Sequence, residues 1–147
     1  MNFKSTSYII MGGTTGMGLS AAVALEQAGA KVLVVGRNQE SCEKAKEILG
    51  QNCLVLSGDA TEPETIKTAI SMANTNFGNI SGLFHVAGGS GRKWGDGPLD
   101  QMSLEGWNKT MELNLTSLML SNQAIINYFI ENKTTGSILN MGSVLGY

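Results

Sequence analysis

Histidine occurs once in the 147 residues, and proline and cysteine twice each. Two cysteines, Cys42 and Cys53, cannot build a disulfide framework. The expectation is a pair of reduced thiols in a cytoplasmic protein. A lone histidine, with no acids at ligand spacing, leaves nothing on which to build a metal site. Charged residues make up 15% of the chain, against about a quarter in an average protein. Charge-driven disorder is therefore excluded. The net charge is −2 and no basic stripe runs along the sequence, which argues against a nucleic-acid partner. No apolar run approaches the roughly eighteen residues of a membrane span. Met1 to Ser5 opens no signal peptide.

Glycine is abundant, with 19 residues, roughly twice the average share. It has no period, so collagen is excluded. The length suits one domain with a real core. Short apolar runs alternate with helical periods. Tyr8 to Met11, Lys31 to Val35, Leu54 to Leu56, Leu83 to Val86 and Ser137 to Met141 read as strands, several apolar on both faces. Helices are predicted from about Met17 to Ala28 and from Gln39 to Leu49. A third starts at Thr61-Glu62-Pro63-Glu64, with Thr61 as its cap. A long fourth helix is predicted over about Ser103 to Glu131, with Leu115, Leu118, Ile125 and Phe129 on one buried stripe. Strands buried on both faces and separated by helices imply a doubly wound α/β domain around a parallel sheet.

The first strand runs into Gly12-Gly13-Thr14-Thr15-Gly16-Met17-Gly18. A glycine-rich turn between a strand and a helix is the setting of a dinucleotide fingerprint. Gly12 permits a tight turn, Gly16 lets backbone approach a pyrophosphate, and Gly18 allows close helix–sheet packing. The helix start offers free N–H groups and a positive dipole end.

The spacing Gly12-x-x-x-Gly16-x-Gly18 resembles the cofactor motif of the short-chain dehydrogenase/reductase family, and further matches follow in order. Asp59, in Gly58-Asp59-Ala60, resembles the acid that binds adenine there. Ala87-Gly88 resembles the end of the family's Asn-Asn-Ala-Gly. Asn114, in Glu112-Leu113-Asn114-Leu115-Thr116, resembles the catalytic-helix asparagine. Ser143, after the fifth strand, resembles the catalytic serine. The resemblance covers the whole chain. It implies a Rossmann-type sheet truncated after the fifth strand, and an oxidoreductase that interconverts a carbonyl and an alcohol. Residues 1–147 are then the dinucleotide-binding domain. Thr14, Thr15, Met17, Ala60, Ala87 and Gly88 join Gly12, Gly16, Gly18 and Asp59 in the implied cofactor set.

The family's Tyr-x-x-x-Lys pair is expected about a dozen residues past Ser143. Tyr147 stands too close to take that role. The resemblance thus implies that residues 1–147 alone lack the catalytic segment and the activity. It also implies a small-molecule substrate and a homo-oligomer for the full-length protein. His85-Val86 replaces the family's two asparagines, and His85 reads as a packed strand residue without a partner. About twenty residues past the glycine turn, an NAD site places an acid on the ribose. Here Gly36 occupies that position and Arg37 follows. A guanidinium suits a 2′-phosphate, so NADP is preferred over NAD.

Other features read more plainly. The eight methionines are expected in the core, Trp107 in packing, and Arg92-Lys93 as solvated loop cations. Two rival readings stand beside the oxidoreductase. One is a non-catalytic dinucleotide-binding module. The other is a different Rossmann-type enzyme such as a methyltransferase, against which Asn114 and Ser143 speak.

Overall fold

A computed structural model describes residues 3–143. Val144 to Tyr147 lie outside the described residues, and with them the end of the Ser143 motif and Tyr147. The strands are β1 (Ser7–Met11), β2 (Lys31–Gly36), β3 (Cys53–Ser57), β4 (Gly82–His85) and β5 (Ser137–Asn140). All neighbouring pairs are parallel, in the order β3-β2-β1-β4-β5. The chain winds outward from β1 to β3, then returns to lay β4 on the other side of β1. That reversal opens a crevice at the carboxyl ends of the central strands.

Alternation along each strand supplies two cores. Ile9, Met11, Leu33 and Val35 face α3 (Pro63–Phe77) and α5 (Ser117–Glu131), meeting Ile66, Ala69, Ile125 and Tyr128. Ile10, Val32 and Val34 face the other way, onto Ala22 of α1 (Gly16–Gln27) and Ala45 of α2 (Gln39–Ile48). Gly29, at φ +95°, follows α1 as the left-handed residue that ends it. The third helix differs from expectation at its start. Glu62 precedes Pro63 as the cap residue, and the Thr61 hydroxyl instead donates to Asp59 Oδ1 at 2.9 Å.

The long fourth helix is interrupted. α4 (Leu104–Met111) passes into a π-helical turn over Glu112–Thr116 before α5 begins. A π turn inserts one residue into the ladder, and one residue rotates the following face by about 100°. The predicted stripe is split accordingly. Ile125 is fully buried, whereas Leu115 is 54% exposed. Trp107, expected in packing, is half exposed, and Met111, Ile126 and Ile130 share its exposure. The methionines also divide: Met11 is buried, but Met17, Met111, Met119 and Met141 are exposed. Among the described residues β5 is the outermost strand on its side of the sheet, and Leu139 is largely open to solvent. Among the described residues no helix is long and apolar enough to cross a membrane.

The end of β1 is the most constrained point. Gly12 and Gly13 both donate to Val35 O, at 2.9 and 3.0 Å, and Val86 and Ala87 both donate to Met11 O, at 2.8 and 2.9 Å. Gly12 adopts φ +81°, and a Cβ there would stand 2.7 Å from Ala87 N. A Cβ on Gly18 would stand 2.2 Å from Gly12 O. The first turn of α1 thus rests directly on the backbone of the glycine turn.

Two stability outcomes follow. Gly18→Ala gains about 1 kcal/mol of helix propensity, but it forces a backbone shift that costs about 1–3 kcal/mol or more. The clash wins, so the urea midpoint falls; a raised midpoint would contradict this packing. The second outcome concerns His85, which is 2% exposed. Burial holds its imidazole below the ordinary 6.5, against a smaller raising contribution from the Ala87 backbone. In acid the unfolded chain takes up a proton that the folded chain refuses. Stability therefore falls as pH drops below about 6.5. His85→Gln removes that part of the slope, read as urea midpoints between about pH 7.5 and about pH 5.5. An unchanged slope contradicts a buried neutral histidine.

Candidate functional site

A cleft of about 230 Å³ opens at the carboxyl ends of β1, β2, β3 and β4. Gly12, Thr14, Thr15, Arg37, Asp59, Ala60, Ala87 and Gly88 border it. A second, larger cleft adjoins it, bordered by Asn114 and Ser143 and sharing Ala87 and Gly88 as a common wall. Eight residues read from four separate stretches thus meet around one cavity, and two more meet around its neighbour. Gly16, Met17 and Gly18 sit in the first turn of α1 and border neither. Met17 is largely exposed, and Gly18 is buried in packing.

The start of α1 is prepared for an anion. Thr15 stands at the cap position, but no side chain caps the helix and no acid lies in its first turn. By contrast, Asn38 caps α2 and Ser103 caps α4, each accepting a backbone N–H at 2.8 and 2.9 Å. Gly16 takes φ +51°, and a Cβ there would meet nothing within 4 Å. Open space, free N–H groups and a positive dipole end coincide at this point.

The other end of the cleft is built by the turn after β2. Thr14 is buried and lies against Gly36, where a Cβ would stand 2.0 Å from its hydroxyl. Thr14 therefore occupies the room that a side chain at position 36 would need. The next residue, Arg37, places Nη1 3.8 Å from Asp59 Oδ2, both side chains being more than a third exposed. Asp59 Oδ1 accepts from the N–H and hydroxyl of Thr61, at 3.0 and 2.9 Å. Burial pushes the Asp59 carboxyl up, but Thr61, Arg37 and Lys109 together outweigh it and hold the group below the usual carboxylate range. The cleft thus pairs an ionised carboxylate with an accessible guanidinium.

Asn114 lies inside the π turn. Its Oδ1 accepts from Gly89 N at 3.0 Å, and its Nδ2 donates to Gly89 O at 2.7 Å and Thr110 O at 2.8 Å. The side chain ties the helix to the loop after β4. Arg92 borders the same cleft, whereas Lys93 lies over the Trp94 ring at 4.0 Å. Both are exposed. The thiols are not part of the site: Cys42 donates to Gly36 O at 3.2 Å, and burial, followed by Glu26, pushes the Cys53 thiol up to about 12.

Four lining residues were not singled out from the sequence. Asn38 and Ser41 border the first cleft beside Arg37, and Leu113 and Ser117 close its far side. Asn38, a capping residue just after a strand, carried a readable signal. Leu113 and Ser117 reach the cleft through the π turn, which periodicity does not reveal.

Residues 7–147 match the family model described as short chain dehydrogenase. The chain is 30% identical over 146 residues to the 3-oxoacyl-[acyl-carrier-protein] reductase FabG of Vibrio cholerae, covering 99% of this chain and 58% of that protein. It is 31% identical over 146 residues to 2-(S)-hydroxypropyl-CoM dehydrogenase 3 of Xanthobacter autotrophicus, covering 97% and 55% respectively. The crystal structure of a short chain dehydrogenase from Bacillus anthracis superposes with a TM-score of 0.87 at 31% identity, over 95% of this chain and 58% of that one. A short-chain type dehydrogenase/reductase from Mycobacterium ulcerans gives 0.86 at 29%, over 98% and 53%. The chain therefore spans somewhat more than half the length of these relatives. With the strand order, the glycine turn and a family match over nearly its whole length, the chain belongs to the short-chain dehydrogenase family.

Proposed function

We propose that residues 1–147 form the dinucleotide-binding domain of an NADP(H)-dependent oxidoreductase that interconverts a carbonyl and an alcohol on a small molecule. The catalytic Tyr-x-x-x-Lys pair is then supplied by sequence beyond these residues. The observation that carries the reading is the shared wall at Ala87 and Gly88. It puts the nucleotide cleft side by side with the cleft that holds Asn114 and Ser143.

The first cleft fits such a cofactor. The uncapped start of α1 and the open face of Gly16 suit the pyrophosphate. Asp59 Oδ2 is not engaged by Thr61 and faces Arg37 only at 3.8 Å, which leaves it able to accept from adenine. Gly36 leaves no acid for the ribose, and Arg37 offers charge-assisted donors to a 2′-phosphate. The bound nicotinamide supplies the hydride chemistry. The chain's own residues orient and hold. Ser143 donates a hydrogen bond to the substrate carbonyl oxygen, polarising it. Asn114, fixed to Gly89, keeps its turn of helix in place and positions a water for the proton path. The relatives' names support the reaction class, and FabG is a reductase of a carbonyl substrate by its name. We place the protein in the cytoplasm with its two thiols free. The exposed apolar side chains Trp107 and Met111 of α4 and Ile126 and Ile130 of α5 support a homo-oligomer for the full-length protein.

The cofactor assignment is tested by titrating NADPH and NADH into the wild type and Arg37→Ala. The variant loses about 1.5–3 kcal/mol of NADPH affinity, the range for a hydrogen bond to a charged group, and keeps its NADH affinity. Equal losses for the two cofactors overturn the 2′-phosphate role of Arg37.

A further inference from the structure

His85 is the chain's only histidine, and in the sheet it pairs with Met11, the residue before the glycine turn. It is 2% exposed, and its two ring nitrogens face two fully buried serines of α5. Nδ1 lies 3.1 Å from Ser121 Oγ, and Nε2 lies 3.3 Å from Ser117 Oγ. Ser117 and Ser121 are one helical turn apart, so one imidazole bridges both.

The direction of these bonds follows from the serines. The Ser117 hydroxyl donates to Leu113 O at 2.7 Å. This is the shorter of the two serine back-bonds, 2.7 Å against 2.9 Å from Ser121 to Ser117 O, so we assign the Ser117 proton to Leu113 O and the ring proton to Nε2, which donates to Ser117 Oγ. Nδ1 is then an acceptor for the Ser121 hydroxyl, which gives its single proton to the ring at 3.1 Å in place of Ser117 O, 2.9 Å away. The network runs from His85 Nε2–H to Ser117 Oγ–H to Leu113 O.

Its end point is the π turn. The Ser117 backbone N–H reaches back five residues to Glu112 O instead of four to Leu113 O. Leu113 O receives the Ser117 hydroxyl, a back-bond that bends helices. The next residue is Asn114, whose carboxamide grips Gly89 on two atoms. Two short segments, 85–89 and 114–117, are therefore bridged at both ends. His85 and Ser117 close one end of this frame, and Gly89 and Asn114 close the other. Ser117 also borders the nucleotide cleft and His85 borders its neighbour, so the frame stands between the two.

We propose that His85 is a positioning residue: through Ser117 it holds the π turn at Leu113 and so sets where Asn114 stands between the two clefts. This rests on reading Asn114 as part of the proton path. His85 makes no contact with the reacting atoms and acts only through the helix. The inference gives a buried strand residue a part in the reaction, where its sequence position suggested packing alone.

The test uses variants that separate the two ring contacts. His85→Gln keeps a donor where Nε2 stood, His85→Asn keeps only the inner position of Nδ1, and His85→Leu keeps neither. Ser117→Ala removes the bridge from the other side and serves if a histidine variant does not fold. The first readout is hydrogen exchange at the Gly89 amide in the full-length protein, which needs no substrate. The second is the split of kcat from KM for NADPH-dependent reduction of a β-keto ester. Asn, Leu and Ser117→Ala variants lose Gly89 protection and about 10- to 100-fold in kcat, the scale of a small misplacement, with NADPH affinity retained. Gln rescues both readouts. Folded His85→Leu protein with native Gly89 exchange and native kcat overturns the inference. So does equal damage from Gln, Asn and Leu, which is the pattern of packing alone. Loss of Gly89 protection with kcat unchanged instead overturns the catalytic reading of Asn114, leaving only a mechanical tie.

Discussion

The crowding of backbone at the end of β1 is the constraint on which the rest depends. Met11 O and Val35 O each accept two amides, from Val86 and Ala87 and from Gly12 and Gly13. Three strands are thereby drawn together where the glycine turn must also pass. A Cβ on Gly12 or on Gly18 would fall within 3 Å of neighbouring backbone. The turn can exist only if those positions carry no side chain. In return it delivers the start of α1, uncapped, to the mouth of the crevice. An anion site built from fixed backbone groups needs little reorganisation when it is filled.

The second device is the π turn, which does for the cleft of Asn114 and Ser143 what the glycine turn does for the neighbouring cleft. It displaces α5 by one residue relative to α4, brings Leu113 and Ser117 to the cleft and hands Asn114 to Gly89. It also moves apolar side chains such as Leu115 outward. An interruption of this kind within a long helix commonly marks a functional position. A buried imidazole with both nitrogens matched to hydroxyls supports it from the sheet, where an unmatched one would be costly.

Features that rest on local chemistry were legible. β2 is a β-branched run, and the end of α1 falls just before Gly29, whose φ of +95° suits glycine. Gly12, Gly16 and Gly18 show their spacing directly. The stretch around Arg37 was readable because it follows a strand at a known distance from the turn. Features that rest on distant pairing were not. The serines that partner His85 are 32 and 36 residues away, and nothing beside His85 announces them. The burial of Leu115 was misread because a periodicity argument counts residues at a constant angle, and the π turn breaks the count; Trp107, read as packing from its place on the long helix, is half exposed on α4. Thr61 was read as a helix cap because its type suits a cap, yet the Asp59 carboxylate two residues back takes its hydroxyl. Gly36 was read as an absent acid; the structure adds that Thr14 fills that space.

The central claim is that the cleft between Thr15 and Arg37 takes an adenine dinucleotide and recognises its 2′-phosphate. The most direct measurement is calorimetric titration with two half-cofactors, adenosine 2′,5′-bisphosphate and adenosine 5′-monophosphate, at several salt concentrations. The account predicts that the bisphosphate binds about tenfold or more tightly, in line with one charge-assisted contact. It also predicts that the advantage shrinks as salt rises, because Arg37 and its partner are exposed. Equal affinities at low salt would contradict it.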